Sequence, residues 1–578
     1  MLHARAVGNP WRASLPAWRS RLVLLALLLA MAVLAARAFY LQAMHEGFLQ
    51  AKGDARYRRV VEVPAYRGRV TDRNGELLAV STPVRAVWVS PSEMEATPRE
   101  FEQLAQLLEM STRELRAKLA DTERDMVYLN RSVAPEVAAR IAALRIPGVF
   151  QDNAYRRFYP GGEVLAHLVG FTDIGDSGQE GIELAFQKQL AGKPGARGII
   201  RDAHGAIVED SGILRPAQQG NDVVLSIDAR IQSLAFRGLR DAVEAHHARG
   251  GGIVVLDTQT GEVLALANLP TYNPNNRSGM VPAQMRNRAV TDSFEPGSTL
   301  KPFTIALALE MGKVTPMTPI QTAPGTLAIG SATIHDSHPE GLLTVSQVIQ
   351  KSSNVGAAKI ALGLPSESMW QLFQDVGFGS PLRLGFPGES GGRVRPHKTW
   401  RPIEQATMSY GHGISVSLVQ LAHAYLLFAR DGDVVPLSLT RQAAAPAGHR
   451  VLSPATVRDV RAMLELAVQP GGTAPRAQIV GYRVGGKTGT AHKQQNGGYA
   501  ENRYIASFSG LAPASNPRLV VAVMIDEPRA GQYYGGAVAA PVFATVMGGA
   551  LRLLNVPTDA PLKPIELPRA ESIVEEAE

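Results

Sequence analysis

Three short groupings carry the residues able to do covalent chemistry: Ser298-Thr299-Leu300-Lys301, Ser352-Ser353-Asn354 and Lys487-Thr488-Gly489-Thr490. In order they read S-x-x-K, S-x-N and K-T-G. A serine three residues before a lysine shares one helix face with it, a turn apart. An amine in reach of a hydroxyl can take its proton, which a solvated ammonium cannot. Attack of that serine on a carbonyl gives a serine ester, so the reaction class is acyl transfer. Each motif alone is weak, since roughly one or two S-x-x-K matches arise by chance in a chain this long. The ordered set is far more specific.

The local settings support the reading. Glu295-Pro296-Gly297 precedes Ser298, and 303–311 reads as a helix ended by Gly312. Ser298 is thus expected at a turn-to-helix junction, where unpaired N–H groups favour a developing oxyanion. Pro302 is awkward inside a helix, so the first turn must start late or be distorted. Ser352-Ser353-Asn354 lies just before a helical stretch, 355–362. Ser352 can relay a proton between the lysine and a leaving group, and Asn354 offers an amide donor and acceptor to a peptide. The competing structural reading is simple helix capping, which suits Ser353. Lys487, Thr488 and Thr490 on a strand suit a substrate carboxylate, and Gly489 removes a side chain where substrate must approach the backbone. His335, His338, His412 and His492 fit no standard zinc spacing and read as structural or surface residues. No metal or cofactor is expected.

The elements that must hold these motifs are legible in outline. The chain has 578 residues, 45% of them apolar and 19% charged, which implies two or more folded domains. There are no cysteines, which excludes disulfides, thiolate metal sites and cysteine nucleophiles. A net charge of +7 is compatible with an anionic partner or an Arg-rich surface, and no motif supports nucleic-acid binding.

Residues 22–41 are apolar apart from Arg37 and long enough to cross a bilayer. Arg5, Arg12, Arg19 and Arg21 precede them, so the positive-inside rule keeps the N-terminus cytoplasmic and exports the rest. Ala36-Arg37-Ala38 also resembles a signal-peptidase site; the apolar run beyond it favours an uncleaved anchor.

After the anchor, residues 67–80 read as strand, Asn-Gly turn, strand. Stretches 98–119 and 135–144 have helical spacing, and 170–181 is loop. This region reads as a mixed α/β non-catalytic module. From Asp222 a strand, a helix (231–245) and a hairpin (253–266) follow. Three strands near the far end (487–491, 504–511, 519–525) and a helix (541–554) close the unit. An antiparallel sheet built from both ends of this segment, with helices inserted, is the expected architecture. The tail after Pro557 is Pro-rich, then acidic.

These residues carry a resemblance. The chain resembles the class B penicillin-binding proteins over nearly its whole length, and within them the cell-division type. The carrying segments are 67–81, 157–171, 181–183, Glu295 to Pro302, Lys351 to Gly356, and 530–543 with its Tyr533-Tyr534-Gly535-Gly536 run. The resemblance implies an α/β multidomain protein. Its parts would be a cytoplasmic tail (1–21), a transmembrane anchor (22–41), a periplasmic pedestal of dimerisation type (42–216), a transpeptidase domain like that of serine β-lactamases (222–556) and a disordered tail (557–578).

It further implies a peptidoglycan D,D-transpeptidase that cross-links stem peptides of septal wall through a Ser298 acyl-enzyme, with Lys301 as the acylation base. The oxyanion hole would be the N–H groups of Ser298 and Thr490, and β-lactams would acylate the same serine. Implied partners are stem peptides, β-lactams, the inner membrane, a separate membrane glycosyltransferase and other division proteins. The alternatives are a β-lactamase or D,D-carboxypeptidase, a β-lactam sensor, or a non-catalytic division scaffold. Class A lactamases need a deacylating glutamate between the second and third motifs; Glu367 and Glu389 fall there, but neither stands in an E-x-x-L-N context.

Overall fold

A computed structural model of the chain describes residues 17–41, 58–124, 126–201, 207–495 and 498–562. The expected cytoplasmic tail up to residue 16 and the acidic tail beyond residue 562 lie outside the described residues. At the N-terminus one helix, Ala17–Phe39, is long and apolar enough to cross a membrane. Trp18 stands at its start and Tyr40 just past its end.

The C-terminal unit is organised by a five-stranded antiparallel sheet. Its order is Val263–Leu269, Gly250–Asp257, Leu519–Asp526, Gly498–Ala512, Gly485–Gln495. Strands from both ends of the segment interleave. The central strands Gly250–Asp257 and Leu519–Asp526 are buried at every position, as continuous apolar runs demand.

Successive side chains alternate between faces. Ile253, Val255, Val521 and Val523 meet Phe236 and Phe543, from the helices Ala229–Ala245 and Ala540–Leu553. Val254, Leu256, Val520 and Ala522 point the other way. They pack on the helix Leu418–Ala429, whose residues are all buried, and that helix in turn meets Phe303 of the helix Lys301–Glu310 through Tyr425 and Phe428. A helix this apolar is stable only between two layers.

The N-terminal module is mixed α/β. Its long strand Leu77–Val89 pairs with both Val127–Val133 and Val149–Phe158. The helical stretch expected over 98–119 is two helices, Pro98–Leu107 and Thr112–Lys118. Thr97 with Glu100 and Ser111 with Glu114 each form a capping box, so the second box starts a new helix where periodicity alone reads through.

The two modules share one core. Val70–Thr71 pairs antiparallel with the start of Leu77–Val89 and in parallel with Val223–Val224. Tyr159, Leu165, Leu168, Phe171 and Ile182 belong to the same apolar cluster as Val254 and Leu300. At the junction the fully buried Glu183 receives Arg67 Nε and Arg157 Nε, both at 2.7 Å. Removing the acid leaves two buried guanidiniums without their counter-charge. Glu183→Leu is expected to cost about 3–5 kcal/mol of stability, read as a lower denaturation midpoint; a loss under about 1 kcal/mol would mean that water replaces the carboxylate.

Candidate active site

A 3₁₀ turn, Gly297–Leu300, feeds directly into the helix Lys301–Glu310. This resolves the difficulty of Pro302: it occupies the first helical turn, where no N–H is needed. Thr299 Oγ1 donates to the Pro296 carbonyl at 2.7 Å, and Tyr425 Oη from the buried helix donates to the Thr299 carbonyl at 2.9 Å. The turn is therefore fixed from both sides. Ser298 and Lys301 are buried. Lys301 Nζ lies 2.8 Å from Ser298 Oγ and 3.0 Å from Ser352 Oγ, and also donates to the Ser352 carbonyl. It stands 6.0 Å from the centre of the Tyr410 ring.

Ser352 ends the helix Val345–Lys351 in the left-handed region, with φ of 61°. A non-glycine residue there stores strain of order 1–3 kcal/mol, tolerated only where the surroundings over-determine it. The surroundings are visible. Ser353 caps the helix Asn354–Leu362 through the Gly356 N–H at 2.9 Å. Asp336 accepts Ser353 Oγ at 2.6 Å and the Val355 N–H at 2.9 Å. Asn354 Nδ2 donates to the His335 carbonyl at 3.0 Å. Ser353 thus takes its expected capping role, while Asn354 spends one amide hydrogen on the protein.

The strand Gly485–Gln495 lies at the sheet edge beside the serine turn. A Cβ on Gly489 would stand 2.5 Å from Ser507 Oγ and 2.6 Å from the Pro296 carbonyl, so only glycine lets strand and turn close together. Lys487 is fully buried, its Nζ 3.0 Å from Thr488 Oγ1. Thr473 Oγ1 is 2.8 Å from the same Thr488 oxygen, and the Gly535 N–H donates to Thr490 Oγ1 at 3.1 Å.

The motif residues Ser298, Lys301, Ser352, Asn354, Lys487, Thr488, Gly489 and Thr490 therefore surround one turn. Sequence reasoning missed several of their neighbours. Asp336 and Thr473 have no motif signal, because each acts through a contact distant in sequence; Glu295, read only as part of the turn before Ser298, gains its contacts the same way. Glu295 accepts the Gly413 N–H at 2.8 Å and Tyr499 Oη at 3.2 Å. His412, read as structural or surface, packs on Tyr410 and Tyr499 with ring centres 5.2 and 6.1 Å apart. Burial, then the neighbouring Lys301 and His492, push its imidazole down to about 4, so it is neutral at physiological pH. Glu389, raised as a lactamase alternative, accepts the Leu384 N–H at 3.0 Å within its own loop.

Beyond the K-T-G segment, Glu527 ties the edge strand to the loop that follows the central strand. Its carboxylate meets Lys493 at 2.8 Å, Arg529 at 2.7 Å and Arg249 at 3.2 Å. Burial opposes its ionisation, but these cationic donors outweigh burial and hold the carboxyl down at about 2.

Comparison with known proteins is consistent over nearly the whole chain. The family described as penicillin binding protein transpeptidase domain matches residues 251–548, and the penicillin-binding protein dimerisation domain matches 62–225. The chain is 44% identical over 551 residues to the probable peptidoglycan D,D-transpeptidase PenA of Neisseria gonorrhoeae, covering 95% of this chain and 94% of the relative. It is 42% identical over 549 residues to the peptidoglycan D,D-transpeptidase FtsI of Escherichia coli K12, covering 94% and 93%. Among solved structures, the apo transpeptidase domain of Burkholderia pseudomallei penicillin-binding protein 3 is similar. It has a TM-score of 0.54 and 50% identity, covering 58% of this chain and 98% of that one.

Glu527 yields a pH prediction. Its folded-state value of about 2 lies below the ordinary carboxylate value of 4.5. The unfolded chain therefore takes up the proton first, and this part of the stability, complete above pH 4.5, is lost as pH falls towards 2. Glu527→Gln should lower the melting temperature at neutral pH and flatten its acid dependence in that window. Parallel acid profiles for the two proteins would refute it.

Proposed function

The chain belongs to the class B penicillin-binding proteins, is close to their division type and is a serine-type peptidoglycan D,D-transpeptidase, and from that premise we propose how its residues divide the work. Ser298 is the nucleophile. Its Oγ attacks the carbonyl of the penultimate D-Ala of a stem peptide as its proton passes to Lys301 Nζ. The free-amine form of lysine is the one that can take it. The oxyanion is held by the backbone N–H groups of Ser298 and Thr490. When the C–N bond breaks, Ser352 Oγ relays the proton from Lys301 to the departing amine, and terminal D-Ala leaves. Lys487, Thr488 and Thr490 hold its carboxylate, and Asn354 orients the peptide. An amine from a second stem peptide then attacks the ester, loses its proton along the same route and restores Ser298. β-Lactams enter the first half of this sequence and stop there.

The observation that supports this division most is the position of Lys301 Nζ, 2.8 Å from one serine oxygen and 3.0 Å from the other. A single nitrogen there can serve both proton transfers.

The wider setting follows the same reading. The apolar helix Ala17–Phe39, the one helix among the described residues long and apolar enough to cross a membrane, anchors the chain in the inner membrane, with the N-terminus cytoplasmic and the catalytic unit periplasmic. The pedestal spans 42–216 and the transpeptidase domain 222–556. A separate membrane glycosyltransferase supplies glycan strands, and other division proteins position the enzyme.

Fluorescent penicillin tests the chemistry. Ser298→Ala should abolish covalent labelling in a protein with unchanged melting temperature, and Lys301→Ala should slow labelling by about 10² to 10⁴. An adduct located by mass spectrometry on any other residue would reject Ser298. The penicilloyl ester of the wild type should persist for many minutes, with negligible turnover; rapid repeated hydrolysis would point to a β-lactamase. Thr488→Val should slow acylation without hastening release, because an unpaired buried polar group costs about 1–3 kcal/mol. N-terminal sequencing tests the anchor: a mature N-terminus at Phe39 would mean a cleaved leader and a secreted enzyme.

A further inference from the structure

A cavity of about 670 Å³ lies away from the serine turn, where three parts of the molecule meet. Its walls are the pedestal strands Val127–Val133 and Val149–Phe158, the loop around 172–176, and the transpeptidase-domain loop around 274–277. No residue of the three motifs lines it. The volume is that of a small-molecule site.

The charge of the wall is uneven. Five cations line it against three carboxylates, Glu109, Asp173 and Asp176. Two of the cations are committed: Arg157 to Glu183, and Lys118 to the Leu129 carbonyl at 2.9 Å. The other three, Arg131, Arg156 and Arg277, form no ion pair among the described residues.

Two of the three are held in place by rings instead. Arg131 lies 3.7 Å from the centre of the Tyr128 ring, and Arg277 lies 4.7 Å from that of Phe171. Arg156 donates to the Asn275 carbonyl at 3.4 Å, across the junction of the modules. Guanidiniums stacked in this way keep their donor edges available and lose little freedom on binding. Behind the wall, Arg157 Nη2 and Ser132 Oγ have no hydrogen-bond partner among the described residues.

Of the opposing acids, Asp173 is engaged by the Ser177 N–H at 2.9 Å and by Gln179 Nε2 at 3.2 Å. Asp176 is pushed up to about 6 by burial, despite Arg67 and Arg157 nearby. The surplus in the cavity is therefore of cationic donors, not of acceptors.

We propose that this cavity is a second binding site, distinct from the serine cleft, for a ligand bearing carboxylate or phosphate oxyanions. Planar, paired donors on three arginines match the planar or tetrahedral oxygens of such groups. The ligand spans both modules, since Arg131 and Arg156 come from the pedestal and Arg277 from the transpeptidase domain. Asn275, beside Arg277, is joined to Tyr159 of the pedestal by two hydrogen bonds, Tyr159 N–H to Asn275 Oδ1 at 3.0 Å and Asn275 Nδ2 to the Tyr159 carbonyl at 2.8 Å. Occupancy should therefore stiffen the junction.

The test uses the full chain in detergent, with the serine cleft first blocked by penicillin and, separately, in the Ser298→Ala variant. Isothermal titration is run with two probes, inorganic pyrophosphate and N-acetylmuramyl pentapeptide. Saturable one-site binding is expected in the penicillin-blocked protein for at least one probe, with a raised melting temperature, and the same site should persist in Ser298→Ala, where the open cleft adds a separate site for the muramyl peptide. Arg131→Gln and Arg277→Gln, both at exposed positions, should each weaken it about tenfold, as should a rise in salt. Preference for pyrophosphate would identify phosphate as the recognised group, and preference for the muramyl peptide its carboxylates. Saturation by neither probe would overturn the proposal, as would binding unchanged in both arginine variants or seen only with the serine cleft open. Because the deciding preparation has its cleft blocked by penicillin and the other lacks the nucleophile, the roles assigned to Ser298 and Lys301 stand or fall separately.

Discussion

One buried nitrogen constrains the rest of this molecule. Lys301 Nζ must lie within hydrogen-bond reach of two serine oxygens, one 3 residues before it in the chain and one 51 residues after it. A buried amine is tolerated only where acceptors surround it. The fold supplies two hydroxyl oxygens and a backbone carbonyl. They come from two elements, a 3₁₀ turn that carries Ser298 and a left-handed helix end that carries both atoms of Ser352, and the helix of the lysine presents the nitrogen to both. None of these elements would hold such a geometry alone.

What holds them is the sheet with its two apolar faces. The all-buried helix Leu418–Ala429 lies under the serine helix and reaches the turn through Tyr425. The strained Ser352 is maintained by Asp336, whose two oxygens fix the residue after it and the helix beyond. At the third side the edge strand is drawn against the turn at Gly489 and tied down beyond it by Lys493 and Glu527. The proposed chemistry asks for this rigidity. Donors aimed at a developing oxyanion act without reorganisation only if their supports do not move.

The pedestal is not a detached spacer. It shares a hydrophobic cluster with the catalytic unit, contributes a strand beside Val223–Val224 and meets it again at Asn275. The buried Arg67–Glu183–Arg157 group stabilises the pedestal side of that junction. Change at the pedestal thus has a continuous packed path to the segment that leads into Ser298.

The sequence by itself determined the reaction class, because Ser298, Lys301, Ser352 and Lys487 through Thr490 are local patterns with chemical meaning. It determined the long apolar N-terminal helix and the central strands for a similar reason: apolar runs of fixed length have few stable destinations. It also indicated that Ser353 caps a helix. It did not mark the break between Leu107 and Thr112, since periodicity reads through a capping box. Tertiary structure alone decided that Asp336 steadies the second motif, that Thr473 meets Thr488, and that His412 lies neutral beside Lys301. It alone decided that four arginines from two modules line one cavity. The physical reason is common to all of these. A motif is a spacing along the chain, which the chain records, whereas a hydrogen bond or a shared wall is a distance between segments, fixed only once packing has brought them together.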